Sequence, residues 1–176
     1  MFELLKFGGS AEAGIALETR QRTPIPNSQA PNVSSASLRK FQRLLQDHPH
    51  WRLRKPACGL YNCYGHIWAS RRTAIYDQPA VELILREDGY RRLRPQESPI
   101  NGDVVLYYVD AQYNSMLHVG SVCELRRLPL NNVEMGALLP WILSKWDDSS
   151  GEVLHHVNDV PWQDGEFTIA FWTDRV

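Results

Sequence analysis

The sequence has few cysteines, almost no net charge and no long hydrophobic run, and each shortage excludes a class of protein. Only three of the 176 residues are cysteines, which is too few and too odd a number for a disulfide scaffold. Nineteen basic residues against 20 acidic ones give a formal net charge of −1, so no overall field favours nucleic acid or an acidic membrane. No segment reaches the roughly 18 apolar residues of a membrane span. We therefore expect neither a nucleic-acid partner nor a membrane partner.

The remaining composition is that of a folded domain. Hydrophobic residues make up 43% of the chain and charged residues 22%, which are ordinary values for a globular protein. The length suits one domain with a real core. Glu3 and Lys6 interrupt the short apolar patch at the N-terminus, so we predict no cleaved signal peptide and a protein made in the cytoplasm. Export by a dedicated secretion machine stays compatible with that expectation.

The chain divides into an arm and a domain. Residues 1–36 are rich in Gly, Pro, Ser and Asn, which predicts a partly irregular arm that is free to meet a protein partner. Residues 37–176 form the domain. Apolar periodicity predicts helices first and strands afterwards, an α+β order in which helices cover one side of an antiparallel sheet of about five strands. The predicted helices are 37–47, 61–72 and 81–87, and the strands are 103–109, 118–125, 141–146, 151–157 and 166–172.

A cysteine stands where the second predicted helix begins. Cys63 follows a turn at Gly59, and a thiol at a helix start feels unpaired backbone N–H groups that stabilise its thiolate. Asn62 would supply a polar group beside the sulfur, and the small Gly65 would leave room for a substrate. The alternative is that Cys63 is a small buried hydrophobe, as free cysteines often are. The isolated motif leaves both interpretations open.

A nucleophilic thiol needs an imidazole within hydrogen-bond reach, and six histidines compete for that role. His118 opens a predicted strand and has a glycine two positions later, so a rigid element fixes its side chain. His66 is one helical turn after Cys63. His155 and His156 are neighbours in a later strand, where alternation sends one side chain inward and the other outward.

A metal site and a nucleic-acid site both fit the sequence poorly. Cys58, Cys63 and His66 have a Cys-x4-Cys-x2-His spacing, but a zinc site needs a fourth ligand. The short arginine clusters at 71–72, 91–92 and 126–127 are better explained by a solvated face or by salt bridges. We therefore predict no metal and no other cofactor.

The order of three blocks resembles the NlpC-type cysteine peptidases and amidases, a papain-like superfamily that includes the CHAP domains. These blocks are Asn62 to Gly65, Asn101 to Tyr107 and His118 to Val122. The chain is also similar to uncharacterised bacterial relatives with Asn-Cys-His-Gly, Ala-Ser-Arg-Arg-Thr, Leu-Ser-Lys-Trp-Gly and Glu-x-Leu-His elements. The first of these elements corresponds to Asn62 to Gly65. The other three correspond to Ala69 to Thr73, Leu143 to Trp146 and Glu152 to His155.

The resemblance implies a papain-like fold with Cys63 as the nucleophile, His118 as the base and a third polar residue that orients the imidazole. His155 is the first candidate for the third position, and Ser144 and Lys145 are its rivals. The implied activity is hydrolysis of a peptide or amide substrate, with peptidoglycan peptides as one such class. The implied settings are a cytosolic amidase or an antibacterial toxin delivered by a secretion machine.

The main alternative is a non-catalytic binding or immunity-type module that keeps the fold without turnover. One observable separates the two hypotheses. A catalytic Cys63 is expected to be a low-pKa, rapidly alkylated thiol, whereas Cys58 and Cys123 react slowly.

Overall fold

The strands form where β-branched and aromatic residues are concentrated, in the second half of the chain. The computed structural model describes residues 14–127, 138–162 and 167–175. In chain order the elements are α1 (Ser35–Asp47), β1 (Arg52–Lys55), α2 (Cys63–Trp68), α3 (Gln78–Glu87), β2 (Arg91–Arg92), β3 (Val104–Tyr108), β4 (Met116–Arg127), β5 (Leu138–Lys145), β6 (Glu152–His156) and β7 (Thr168–Thr173). The fold is therefore α+β, with helices before the main strands.

One antiparallel sheet organises the molecule, and its strand order is β1-β6-β5-β4-β3-β7-β2. Within the described residues the sheet has seven strands, so the expected number of about five was too small. The two additional strands are the basic segments Arg52–Lys55 and Arg91–Arg92, which lie at opposite edges. Charged edge strands are common because they discourage pairing with other chains.

The two faces of the sheet carry different residues because neighbouring strand residues alternate sides. The face covered by α2 and α3, called the helix face below, carries Val104, Leu106 and Val119. The opposite face, called the aromatic face, carries Tyr107 with Val105 and packs against indole and phenyl rings from the end of the chain. Each face has its own buried core.

The first helix packs on the aromatic face. Phe41 of α1 forms a cluster with Trp51 and Val153, and Val153 is paired with Ser144 on that side of β5. The expectation that the helices cover one side of the sheet was therefore wrong. The amphipathic pattern of α1 identifies its buried stripe, but it does not show which face of the sheet receives it.

The described part of the arm is irregular and lies against the domain. Residues 14–34 contain no helix or strand, only two isolated bridges that join Glu18 to Pro24 and Ser28 to Ala74. Ile25 is buried, and Thr19 donates a hydrogen bond to Glu87 in α3. Residues 1–13 of the predicted arm, and Glu166 of the last predicted strand, lie outside the described residues. Within the described ranges, no helix is both long enough and apolar enough to cross a membrane.

Candidate thiol site at the start of the second helix

The side chain of Asn62 places Cys63 at the first position of α2. Its Oδ1 accepts the N–H of Gly65 at 2.9 Å, as an N-cap does, and it also accepts the N–H of Ile75 at 3.2 Å. Its Nδ2 donates to the Ile75 carbonyl at 2.6 Å. The amide of Asn62 is thus used to anchor the helix start to the chain beyond it, which explains why the sequence folds this way locally.

The middle of α2 packs tightly against the backbone of the segment that follows it. A Cβ at Gly65 would lie 1.8 Å from the carbonyl oxygen of Thr73. Ser70 and Arg71 have left-handed backbone angles, φ 49° and φ 64°, and they turn the chain back towards the helix. The space at Gly65 is therefore filled by the protein's own backbone, and the expectation that it admits a substrate was wrong.

The Cys63 thiol is half-buried between α2 and β4. Burial raises the pKa of the thiol to about 11. The backbone N–H groups of Val119, Tyr64 and Cys63 itself oppose this shift, as does the charge of Lys145. Burial outweighs these four contributions, so the resting sulfur is a neutral thiol. The low pKa expected from the helix start is not what the structure gives.

His118 is almost completely buried, at 1% exposure, on the aromatic face of β4. Its ring stacks on Trp146 with centroids 4.2 Å apart and an interplanar angle of 21°. Among the described residues its Nε2 has no hydrogen-bond partner. Burial lowers the pKa of His118 well below its ordinary value, and the charges of His155 and His66 lower it further. The imidazole is therefore neutral.

The thiol and the imidazole meet the same short stretch of β4 from different sides. The sulfur faces the N–H of Val119, whose side chain belongs to the helix face. The preceding residue, His118, points to the aromatic face. No hydrogen bond between the Cys63 thiol and the His118 ring is found among the described residues. The thiol thus contacts the backbone of the residue next to His118, but the thiol and the imidazole lie on opposite faces of β4.

His155 lies on the aromatic face with His118, as strand alternation predicts, while its neighbour His156 is only half-buried. Its Nδ1 lies 2.8 Å from the carbonyl oxygen of His156, and its Nε2 lies 3.0 Å from Ser144 Oγ. A carbonyl accepts only, so Nδ1 carries the proton and Nε2 accepts from the hydroxyl. Burial lowers the pKa of His155 to about 4. His155 and His118 both pack on Trp146, at 4.8 and 4.2 Å between centroids.

Ser144 and Lys145, the two rivals for the third position, point to opposite faces. Ser144 bonds to His155, as described. The Nζ of Lys145 donates to the carbonyls of Cys58 at 2.7 Å and Ser150 at 2.5 Å, and it lies 4.9 Å from the centre of the Tyr61 ring. Burial lowers the pKa of Lys145. Of the predicted residues, Lys145 is thus the one that shares the helix face with Cys63.

Sequence reasoning missed a buried ionic cluster behind α2, centred on Glu152. Its Oε1 accepts from Tyr61 at 2.7 Å and from Arg71 at 2.5 Å, and His66 Nδ1 lies 3.3 Å away in poor hydrogen-bond alignment. Burial alone would raise the pKa of Glu152, but contacts with His66, Arg71 and Tyr61 lower it overall. Glu152 and Arg71 are 81 residues apart in sequence, and no local pattern connects them.

A small cavity lies beside Tyr76, and Cys63 is not among the residues that line it. It has a volume of about 210 Å³ and is lined by arm residues, among them Asn27 and Ser28, and by Tyr76 and Asp77. Tyr76 is 46% exposed. Burial raises its pKa, and so do Asp148 and Cys63, so its phenol lies within electrostatic range of the thiol. The arm and Tyr76 therefore form the walls of this cavity.

Comparison with known proteins identifies no relative of this chain. No family model matches it, and neither the curated proteins nor the solved structures contain a match.

Proposed function

We propose that the protein is a thiol-dependent amide hydrolase with Cys63 as its nucleophile. The observation that carries the proposal is the placement of a half-buried thiol at the first residue of α2, facing three backbone N–H groups, beside the strand that bears His118. Backbone donors that converge on a nucleophile are the arrangement that stabilises an oxyanion in acyl transfer. The resemblance to the NlpC-type enzymes supports the same choice of nucleophile.

The chemistry starts from a neutral pair. His118 takes the thiol proton as the sulfur attacks the amide carbonyl, so the charged forms exist only during the reaction. N–H groups of Cys63, Tyr64 and Val119 hold the developing oxyanion. His118 then passes the proton to the leaving amine, and water hydrolyses the thioester to release the acid and the free thiol. At rest the ring stacks on Trp146 on the aromatic face, whereas the sulfur lies on the helix face. The first step therefore requires the start of β4 to rearrange until the His118 ring reaches the sulfur.

His155 takes a supporting role in this proposal. It is buried on the same indole as His118, and Ser144 fixes its ring. A Cβ at Gly120 would lie 2.5 Å from Ser144 Oγ. The glycine on β4 therefore leaves room for the Ser144 side chain on β5, which bonds to the His155 ring. His155 acts by position and does not touch the substrate.

A non-catalytic binding module is the second candidate, and one observation favours it. Both pKa directions keep Cys63 and His118 neutral, and the two side chains share no hydrogen bond among the described residues. A papain-like scaffold without turnover would look the same at rest. Because burial raises the pKa of Cys63, slow alkylation is expected of both candidates and no longer separates them, whereas a measurement of turnover does.

The test is cleavage of a peptide panel that includes peptidoglycan stem peptides, with new amino groups detected by mass spectrometry. We expect the wild type to release new amino groups and Cys63→Ala to release none. Cys123→Ala is the matched control, since Cys123 is also half-buried but lies further along β4, and it should retain activity. Thermal melts establish that all three proteins are folded. No release by the folded wild type would favour the binding module, and equal release by the wild type and Cys63→Ala would show that Cys63 is not the nucleophile.

A further inference from the structure

A second cavity lies on the helix face, at the edge of the sheet near β2 and β7. Its volume is about 390 Å³, within the roughly 300–1,000 Å³ that small-molecule pockets usually have. Four aromatic side chains and two arginines dominate its lining: Tyr90, Tyr108, Tyr113, Trp172, Arg86 and Arg92. Cys63 is not among the lining residues, so this cavity is separate from the thiol site.

The aromatic walls are preformed. Tyr108 is 1% exposed, and its ring meets Tyr113 edge to face at 5.1 Å between centroids. The buried indole N–H of Trp172 faces the hydroxyl of Tyr108, and both side chains line the cavity. Flat rings stack well on such walls.

The charges at the cavity are unbalanced towards positive. The guanidinium of Arg92 lies 3.8 Å from the centre of the Tyr113 ring, and within the described part of the chain no carboxylate lies in salt-bridge range of it. Arg86 has only a 3.9 Å contact with Glu87. Of the described residues that line the cavity, one is an acid, Glu82, and Gln78 Nε2 already donates to it at 2.8 Å.

We propose that this cavity binds a small monoanionic carboxylate attached to an aromatic ring. A guanidinium stacked on Tyr113 keeps its N–H edge free, and that edge matches the two oxygens of a carboxylate. The ring of the ligand packs against the aromatic wall that Tyr108, Tyr113 and Trp172 form together. The acid at the rim, Glu82, disfavours a dianion such as phosphate. The proposal does not depend on the function of Cys63.

Calorimetric titration with N-acetylphenylalanine tests the proposal, with its neutral amide and inorganic phosphate as comparison ligands. We expect saturable binding of the acid and at least tenfold weaker binding of the amide and of phosphate. Arg92→Gln should abolish the preference for the acid over the amide. Arg94→Gln is the matched control, since Arg94 is exposed two residues away outside the cavity lining, and it should bind as the wild type does.

Two further variants keep the proposal falsifiable. Cys63→Ala should bind the acid normally, so that loss of hydrolase activity and loss of this site are distinguishable. Trp172→Phe should bind with nearly unchanged affinity but lose most of the ligand-induced change in tryptophan fluorescence. Absence of binding, equal affinity for the acid and the amide, phosphate binding as tight as that of the acid, or equal losses in Arg92→Gln and Arg94→Gln would each overturn the proposal.

Discussion

Acidification should destabilise this protein well before its carboxylates are protonated, because His155 is buried as a neutral ring. Its pKa is about 4 in the folded protein, against about 6.5 in an unfolded chain. The unfolded state therefore binds more protons between these values. The stabilisation is complete above about pH 6.5 and is lost as pH falls to about 4.

The magnitude follows from the difference of about 2.5 pKa units, each worth about 1.4 kcal/mol, which gives about 3.5 kcal/mol in full. About 2 kcal/mol of this is lost between pH 7 and pH 5. His118 is buried with its pKa lowered, so it adds to the loss in the same direction. The pKa of Glu152 is also lowered, but its stabilisation is lost only below about pH 5, as a carboxylate's must be. A typical domain has about 5–15 kcal/mol of stability, so a loss of about 2 kcal/mol is roughly an eighth to two fifths of the total.

The assay is urea unfolding at pH 7 and pH 5, followed by circular dichroism. We expect the free energy of unfolding of the wild type to fall by about 2 kcal/mol or more. His155→Gln should show a smaller fall, since glutamine does not titrate. His50→Gln is the control, because His50 is exposed, and it should behave as the wild type does. The reasoning would be refuted if the wild type had the same free energy of unfolding at both pH values. It would also be refuted if that free energy fell equally in His155→Gln and His50→Gln.

Three other changes probe α2 and its surroundings. Gly65→Ala places a Cβ 1.8 Å from the Thr73 carbonyl, so a thermal melt should show a loss of about 2 kcal/mol or more; an unchanged melting temperature would contradict the packing. Glu152→Gln leaves Arg71 without its buried carboxylate, and urea unfolding should show a loss of about 3 kcal/mol. A loss below about 0.5 kcal/mol would mean that the cluster is unimportant. The alkylation rate of Cys63 by iodoacetamide should rise about tenfold per pH unit from pH 7 to 9, whereas a plateau below pH 8 would contradict the raised pKa.

Helices and strands with a strong hydrophobic pattern were predictable from the sequence. The first helix was predicted over 37–47 and is observed over Ser35–Asp47, with Ser34 as its cap. The segment predicted over 103–109 is β3, because its β-branched and aromatic run suits a strand buried on both faces. Strands β1 and β2 were missed, since arginine-rich segments show no apolar alternation and are ordered only by pairing with β6 and β7.

The second helix shows why tertiary contacts override local pattern. Nothing breaks the sequence from 66 to 72, yet α2 ends at Trp68. The left-handed residues Ser70 and Arg71 turn the chain, and Arg71 then reaches Glu152 in β6. That contact stabilises the turn from 81 residues away.

The candidate site was predictable in position and not in chemistry. The turn at Gly59 correctly places Cys63 at a helix start, and the structure adds Asn62 as the N-cap of that helix. The direction of its pKa shift was predicted wrongly. The helix start lowers the pKa of the thiol, but burial against β4 raises it by a larger amount. Burial depends on the whole fold, and a local motif does not report it. The roles of Cys63, His118 and His155 in catalysis remain predictions.

The most direct test of the central claim is to trap the acyl group on the protein. The wild type is mixed with the peptide panel, quenched in acid and analysed by intact mass and peptide mapping. The account predicts a mass increase equal to the acyl part of a cleaved peptide, carried by Cys63 and absent from Cys63→Ala. An acyl group on Cys58 or Cys123 instead, cleavage without any acyl group on Cys63, or no cleavage of any peptide would contradict it.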